Sequence, residues 1–287
     1  MLQRTVTAVV MTLVMIPFLI FSDTYAFPIF IAVLSMIGVY ELHNCIGMKR
    51  PEVLVPSILF AGALPVCARV YRDLYALSAP GSFEMRYFNF THKVVMVYLF
   101  YLLVLAVFSK GKKDVVDIAM TFATTFYTVI SFSSIILLRD YEHGQYIFIL
   151  VFLCPWITDI FAYLTGRWFG KHKLIPDVSP KKTVEGAIGG LLLCTGVFVL
   201  YGFALDKLAD GIKVHYLALV IIGVVMSLIS QCGDLVFSLI KRKYGIKDYG
   251  TLLPGHGGVM DRFDSVIAAA PFVLMLFDLS SVFKLFN

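Results

Sequence analysis

YLALVIIGVVMSLISQCGDLVFSLIKRK, residues 216–243, carries no Asp, Glu, Lys or Arg before Asp234 and closes on Lys241, Arg242 and Lys243. An apolar run of this length matches the roughly 20 residues a helix needs to cross a bilayer core, and the terminal cations suit its interfacial end. Comparable runs fall at 6–21, 27–40, 53–70, 94–108, 118–138, 146–164, 184–205 and 265–283, with this one at 216–239. Of 287 residues, 59% are hydrophobic and 15% charged, at a mean hydropathy of +0.85, whereas soluble domains carry about 25% charged residues. A soluble core could account for one or two such runs but not for nine. The chain therefore reads as all-α, a polytopic integral membrane helical bundle of about nine transmembrane helices. Arg4 precedes the first run and Thr24-Tyr25-Ala26 loosely resembles a cleavage site, but more spans follow at once, so an uncleaved first span is expected.

The basic residues set the expected orientation. With a cytoplasmic N-terminus, the inner segments hold all of the 24 Lys and Arg except Arg69, Arg72, Arg86, Lys93, Arg139, Lys207, Lys213 and Lys284. The segment between the third and fourth spans is a basic exception on the outer side. The five cysteines, Cys45, Cys67, Cys154, Cys194 and Cys232, lie in or beside apolar runs with no paired spacing, so small-residue packing is expected rather than a disulfide or zinc framework. Residues 1–115 read as N-terminal transmembrane helices with little chemistry. Residues 116–287 read as a catalytic transmembrane domain with cytoplasmic loops at 166–183 and 241–264.

Three stretches carry that chemistry. In the first, Asp234, Ser238 and Lys241 are spaced i, i+4, i+7 and share one helix face. Downstream come Lys247, Asp248, the glycine-rich Pro254-Gly-His-Gly-Gly258, and Asp261, Arg262, Asp264 and Ser265. The glycines are read either as a plain turn or as a loop whose N–H groups cradle phosphate oxygens. Asp261 and Asp264 could simply complement the start of the last helix. That leaves Asp234 unexplained at another membrane boundary. Carboxylates such as Asp234 and Asp261 are the oxygen ligands that hard divalent metals take, with water and phosphates completing the shell. Lys241, Arg242, Lys247 and Arg262 supply cations for phosphate oxygens and a departing pyrophosphate, and His256 is a candidate phosphate contact. Carboxylates and cations together point to metal-assisted phosphoryl or nucleotidyl transfer. The remaining histidines, His43, His92, His143, His172 and His215, lie at span ends, where solvated or capping roles are expected.

In the second stretch, Asp159, Tyr163 and Gly166 share a helix face running toward Arg167 and Gly170-Lys171. A carboxylate at the edge of a span marks either a functional site or an interhelical tie. The third is Ser179-Pro-Lys181-Lys182-Thr183-Val-Glu185-Gly186. Here Thr183 is placed to cap a helix starting at Val184, and Lys181 and Lys182 are interfacial anchors or site residues. Gly186, Gly189 and Gly190 favour close helix packing.

Ser238-x-x-Lys-Arg, Lys247-Asp248 and Pro254-x-His-Gly-Gly-x-x-Asp-Arg-Phe-Asp264 are similar, residue for residue, to the signature of the CDP-diacylglycerol synthases, or phosphatidate cytidylyltransferases. Asp159, Tyr163, Gly166, Arg167, Gly170 and the 179–186 stretch also resemble that family, so the similarity runs from about 156 to 265. The resemblance implies a nine-span bundle, often dimeric, in the cell membrane, with its active site facing the cytoplasm. It implies the reaction of CTP with phosphatidic acid to give CDP-diacylglycerol and pyrophosphate, in phospholipid biosynthesis. It also implies magnesium with an assisting potassium, held at Asp234 and Asp261. The catalytic set expected is Asp234, Asp261, Lys241, Arg242 and Arg262. The substrate-binding set is Ser238, Lys247, Asp248, His256, Gly257, Gly258, Asp264, Asp159, Tyr163, Arg167, Ser179, Lys181, Lys182 and Thr183. The partners expected are the two substrates, the membrane and a second copy of the chain, with no nucleic acid. Competing readings are a CDP-archaeol-type synthase, a prenol kinase of similar architecture and, more remotely, a cation-coupled transporter with internal inverted repeats. A CDP-alcohol phosphotransferase would need an Asp-Gly-x-x-Ala-Arg segment, which this sequence lacks.

Overall fold

The computed structural model describes residues 2–75, 82–109, 114–141, 143–209 and 212–278, the side chains of 2–5, 8, 82–84 and 277–278 excepted. Helices form at every apolar run: α1 (Leu2–Ile20), α2 (Ala26–Cys45), α3 (Pro51–Tyr75), α4 (Ser82–Phe108), α5 (Val115–Asp140), α6 (Gly144–Phe169), α7 (Val184–Leu208), α8 (Tyr216–Lys243) and α9 (Met260–Asp278). Between α6 and α7 a hairpin pairs β1 (Lys173–Ile175) antiparallel with β2 (Ser179–Thr183), Lys173 opposite Thr183 and Ile175 opposite Ser179. Among the described residues, α2 to α8 are long and apolar enough to cross a bilayer, α4 over Met85–Phe108, while α1 offers the shorter apolar stretch Val9–Ile20. Positions 279–283 of the expected last span lie outside the described residues, as do Lys110, Lys112, Lys113, Lys284 and the side chain of Arg4.

The surface fits lipid as the solvent. Val97, Phe100, Leu200 and Leu217 are each about two-thirds exposed or more (70%, 69%, 66% and 75%), an arrangement that would drive aggregation in water. Prolines inside α3 (Pro56, Pro65) and α6 (Pro155) are tolerated because neighbouring groups in a membrane bundle can re-satisfy the freed carbonyls.

The chain divides into two compact units, one of Met1–Asp140 with Tyr244–Arg262, the other of Tyr141–Lys243 with Phe263–Asn287. In the first, α2, α3 and α5 pack on one another around Phe27, Ile31, Leu42, Leu64, Phe132 and Ile135, all essentially buried. The inward face of α5 is rich in small hydroxyl residues, Thr121, Thr125, Thr128, Ser131 and Ser133, the side chains that let membrane helices approach closely. His43 departs from the solvated role expected of it. It is fully buried and its Nε2 lies 2.8 Å from Thr125 Oγ1, because α2 runs five residues past the expected end of the span.

The basic exception between the third and fourth spans also has a structural account. Arg69 and Arg72 belong to α3, and Asp140 Oδ1 lies 2.5 Å from Arg69 Nη1 and 3.5 Å from Arg72 Nη1. Asp73 sits 3.7 Å from Arg69 Nε and accepts a 2.7 Å hydrogen bond from the Tyr25 hydroxyl. Arg86 stacks its guanidinium 4.5 Å from the centre of the Tyr75 ring. Arg69 and Arg72 are thus paired locally with Asp73 and Asp140, so they weigh little as loop charge.

In the second unit α6 packs along α7, and α7 along α8. The α7 glycines make the first contact possible. A Cβ at Gly186 would stand 2.6 Å from the Ala162 carbonyl oxygen, and one at Gly190 2.8 Å from that of Thr158, as the sequence led us to expect. Thr158 Oγ1 meets Ser227 Oγ of α8 at 3.0 Å, and Gln231 Nε2 donates to the Ala187 carbonyl at 3.2 Å. Cys154 and Cys194, expected to serve as packing residues, are both buried, their sulfurs 3.6 Å apart.

Candidate functional site

The hairpin is fixed to the start of α7 by local polar chemistry. Thr183 is the N-cap: its hydroxyl accepts the Gly186 N–H at 3.1 Å. The Glu185 carboxylate accepts the N–H groups of Lys171 (3.1 Å) and His172 (3.2 Å) and lies 2.6 Å from His172 Nδ1. Gly166 and Gly170 leave the space that Thr183 fills. Ser179 opens β2, half-buried, and β2 thereby carries Lys181 and Lys182 back over α6.

The result is a cleft of about 370 Å³ within the second unit. Asp159, Tyr163, Gly166 and Arg167 of α6 line one side, Lys181, Lys182 and Thr183 of the hairpin another, and Gln231 and Asp234 of α8 a third. The i, i+4, i+7 face read from α6 is thus the face turned to the cleft. Lys182 Nζ forms an ion pair with Asp234 Oδ2, both side chains one-quarter exposed, so its partner is Asp234. Buried Asp264 has Asp234, Lys241 and Asp159 as its electrostatic neighbours, and its Oδ1 accepts the Ser265 N–H at 2.7 Å. The predicted face of α8 places Lys241 in the interior, 9% exposed, and leaves Ser238 half-buried, whereas Arg242 and Lys243 are exposed.

The first unit holds the other half of the signature. Leu253 N–H donates to the Gly257 carbonyl at 2.9 Å and His256 N–H to that of Leu253 at 2.8 Å. This turn needs φ of +77° at Gly255 and +83° at Gly257, values open to glycine. Asp261 Oδ2 accepts the N–H groups of Tyr249 (2.7 Å) and Gly258 (2.9 Å), which closes the loop on the start of α9. Arg262 Nε donates to the His256 carbonyl at 3.0 Å, and His256 Nδ1 is buried without a hydrogen-bond partner among the described residues. Lys247 and Asp248 are exposed.

Carboxylates interleaved with lysine and arginine in this loop and in the cleft are the composition expected of a nucleotide-phosphate enzyme, and comparison with known proteins agrees. A sequence model described as the cytidylyltransferase family matches residues 2–280. The chain belongs to the cytidylyltransferase family. It is similar to the phosphatidate cytidylyltransferase of Staphylococcus haemolyticus, 34% identical over 273 residues, 95% of this chain and 97% of the relative. It is likewise similar to those of Staphylococcus saprophyticus (33% over 273 residues) and Staphylococcus aureus (33% over 278), with the same shares covered. This cytidylyltransferase is therefore a nucleotidyltransferase built as a multi-pass membrane protein.

Two polar residues of the cytidylyltransferase escaped the sequence reading. Gln231 lies within the quoted stretch yet was assigned no role, and it forms part of the cleft wall. Glu41, 3% exposed, accepts the N–H groups of Val259 (Oε1, 3.0 Å) and Met260 (Oε2, 2.8 Å). The available signal was a lone carboxylate among apolar residues of a span. Ending that span at residue 40 concealed it. Among the described residues no three His, Cys, Asp or Glu side chains group as a metal cage.

Proposed function

We propose that the chain catalyses the reaction of CTP with phosphatidic acid to give CDP-diacylglycerol and pyrophosphate. The observation that carries this reading is the cleft of the second unit, where Asp159 and Asp234 alternate with Arg167, Lys181 and Lys182 on a chain whose relatives are named phosphatidate cytidylyltransferases. An oxygen of the lipid phosphate attacks the α-phosphorus of CTP in line. A P–O bond forms there, the bond to the β-phosphate oxygen breaks, and pyrophosphate leaves with the electron pair. A phosphate monoester is already an anionic nucleophile at neutral pH, so positioning and charge stabilisation supply most of the catalysis. Lys181, Lys182 and Arg167 bind phosphate oxygens from the cleft. Lys241, Arg242, Lys247, Arg262 and His256 serve the nucleotide phosphates, and Asp248, Ser238, Ser179, Thr183, Tyr163, Asp264, Gly257 and Gly258 shape the substrate sites.

Asp234 and Asp261 would hold magnesium, with potassium assisting. The donors fit it: a hard cation bound mainly by water and phosphate needs only one or two protein carboxylates. Asp234 lines the cleft as the ion-pair partner of Lys182, and Asp261 is fixed by two N–H donors. When bound, the metal neutralises phosphate charge in the transition state. The bias of basic residues, with Arg69 and Arg72 paired to Asp73 and Asp140, supports a cytoplasmic N-terminus and a site opening to the cytoplasm at the cell membrane. A homodimer completes the proposal.

The test uses purified protein in mixed micelles with CTP, phosphatidic acid and magnesium. CDP-diacylglycerol and pyrophosphate should appear in equal amounts, and neither should form when diacylglycerol replaces phosphatidic acid. Product formation from diacylglycerol would overturn the reading.

A further inference from the structure

The loop 244–262 is gripped by a side chain far from it in sequence. Glu41 is buried in α2, and its two carboxylate oxygens take the N–H groups of Val259 and Met260. The next amide back, that of Gly258, goes to Asp261. Three consecutive amides at the start of α9 are thus shared between two carboxylates. The surrounding shape is cut to this arrangement. A Cβ at either Gly250 or Gly258 would stand on the Glu41 carboxylate, and the bare Gly38, one turn earlier on α2, leaves room for the Met260 sulfur.

A carboxylate inside a membrane span is costly unless its charge is matched. Packing alone would be met as well by an apolar side chain of similar volume. What the charge adds is direction, since two amides are aimed and held by one rigid group. Those amides lie one and two residues before Asp261, so holding them fixes the angle of its carboxylate at the head of α9.

We infer that Glu41 is a positioning residue that sets the carboxylate of Asp261 by clamping the Val259 and Met260 amides. This rests on the function proposed above, in which Asp261 serves the metal. It gives the N-terminal helices, which look inert in the sequence, a part in the site.

The experiment compares the intact protein with Glu41→Gln, which keeps the volume but turns an NH2 group toward an N–H donor, and with Glu41→Asp, which keeps the charge but is one methylene short. Three readouts are taken on the folded fraction in detergent: hydrogen exchange of the peptide covering 258–260, Mg2+ affinity by calorimetry without substrate, and kcat with KM for phosphatidic acid. Loss of a charge-assisted hydrogen bond predicts exchange faster by roughly tenfold or more in Glu41→Gln, Mg2+ affinity weaker, and kcat lower by a similar factor. KM for phosphatidic acid should be unchanged, and Glu41→Asp should lie between. Unchanged exchange in Glu41→Gln overturns the clamp. Faster exchange with wild-type Mg2+ affinity and kcat overturns the positioning role and leaves Glu41 as packing. If Glu41→Gln does not fold, Gly250→Ala, whose Cβ would stand on the same carboxylate, is read by the same three measurements and the same criteria. Should the wild-type protein make no CDP-diacylglycerol, the proposed reaction falls, while exchange and Mg2+ affinity still decide the clamp.

Discussion

Breaking the Lys182–Asp234 pair probes the cleft most sharply. Each side chain is one-quarter exposed, between the surface case, where a pair contributes about 0–1 kcal/mol, and the buried case, where removing one partner costs about 3–5 kcal/mol. A coupling of about 1–2 kcal/mol follows for a double-mutant cycle of Lys182→Met and Asp234→Asn. Either single change leaves one uncompensated group in the cleft wall, and the double change leaves none, so the double mutant should be more stable than the sum of the singles. Thermal melts in a single detergent should show the difference as a shift of a few degrees. Activity separates the partners: Asp234→Asn should fall to background and Lys182→Met by roughly tenfold, one charge-assisted phosphate contact. Melting shifts that add to within about 0.3 kcal/mol would show that the two side chains do not interact, and near wild-type turnover in Asp234→Asn at saturating magnesium would refute its catalytic role.

Gly190→Leu should destabilise by about 1–3 kcal/mol or more by forcing α7 off α6, whereas Gly196→Ala, with nothing within 4 Å of the added carbon, should raise stability by up to about 1 kcal/mol; melting temperatures check both. Asp159→Asn should keep its melting temperature and lose CDP-diacylglycerol formation if the carboxylate serves the cleft; full activity would make it an interhelical tie. Ala at Lys241, Arg242 or Arg262 should cost roughly ten- to a hundredfold in kcat/KM for CTP, with Lys243→Ala mild; equal losses at all four would point to bulk surface charge.

The helices were legible because hydropathy needs only local composition, and each apolar run became a helix. Their ends were not, because polar first and last turns look like loop. Residues 82–93 hold Glu84, Arg86 and Lys93, yet α4 begins at Ser82, and α2 extends through Glu41, His43 and Cys45. The hairpin was invisible for a similar reason, since Ser179-Pro-Lys-Lys-Thr183 has no alternation to mark a strand. Within the site, the Asp159–Tyr163–Gly166 face and the Thr183 cap could be read, since helix periodicity and capping act over three to seven residues. Pairings across the chain could not: Lys182 with Asp234, and Glu41 with the amides of Val259 and Met260, depend on which helices pack together. His43 shows the cost of judging burial from position in a span alone.

The central claim is nucleotidyl transfer, and the fate of the CTP phosphates tests it most directly. Purified protein is given phosphatidic acid, magnesium and CTP labelled on either the α- or the γ-phosphate, and the lipid is extracted. Label from the α-position should enter the organic phase as CDP-diacylglycerol, and label from the γ-position should remain in water as pyrophosphate. Transfer of the γ-label to lipid would mark a kinase and contradict the account.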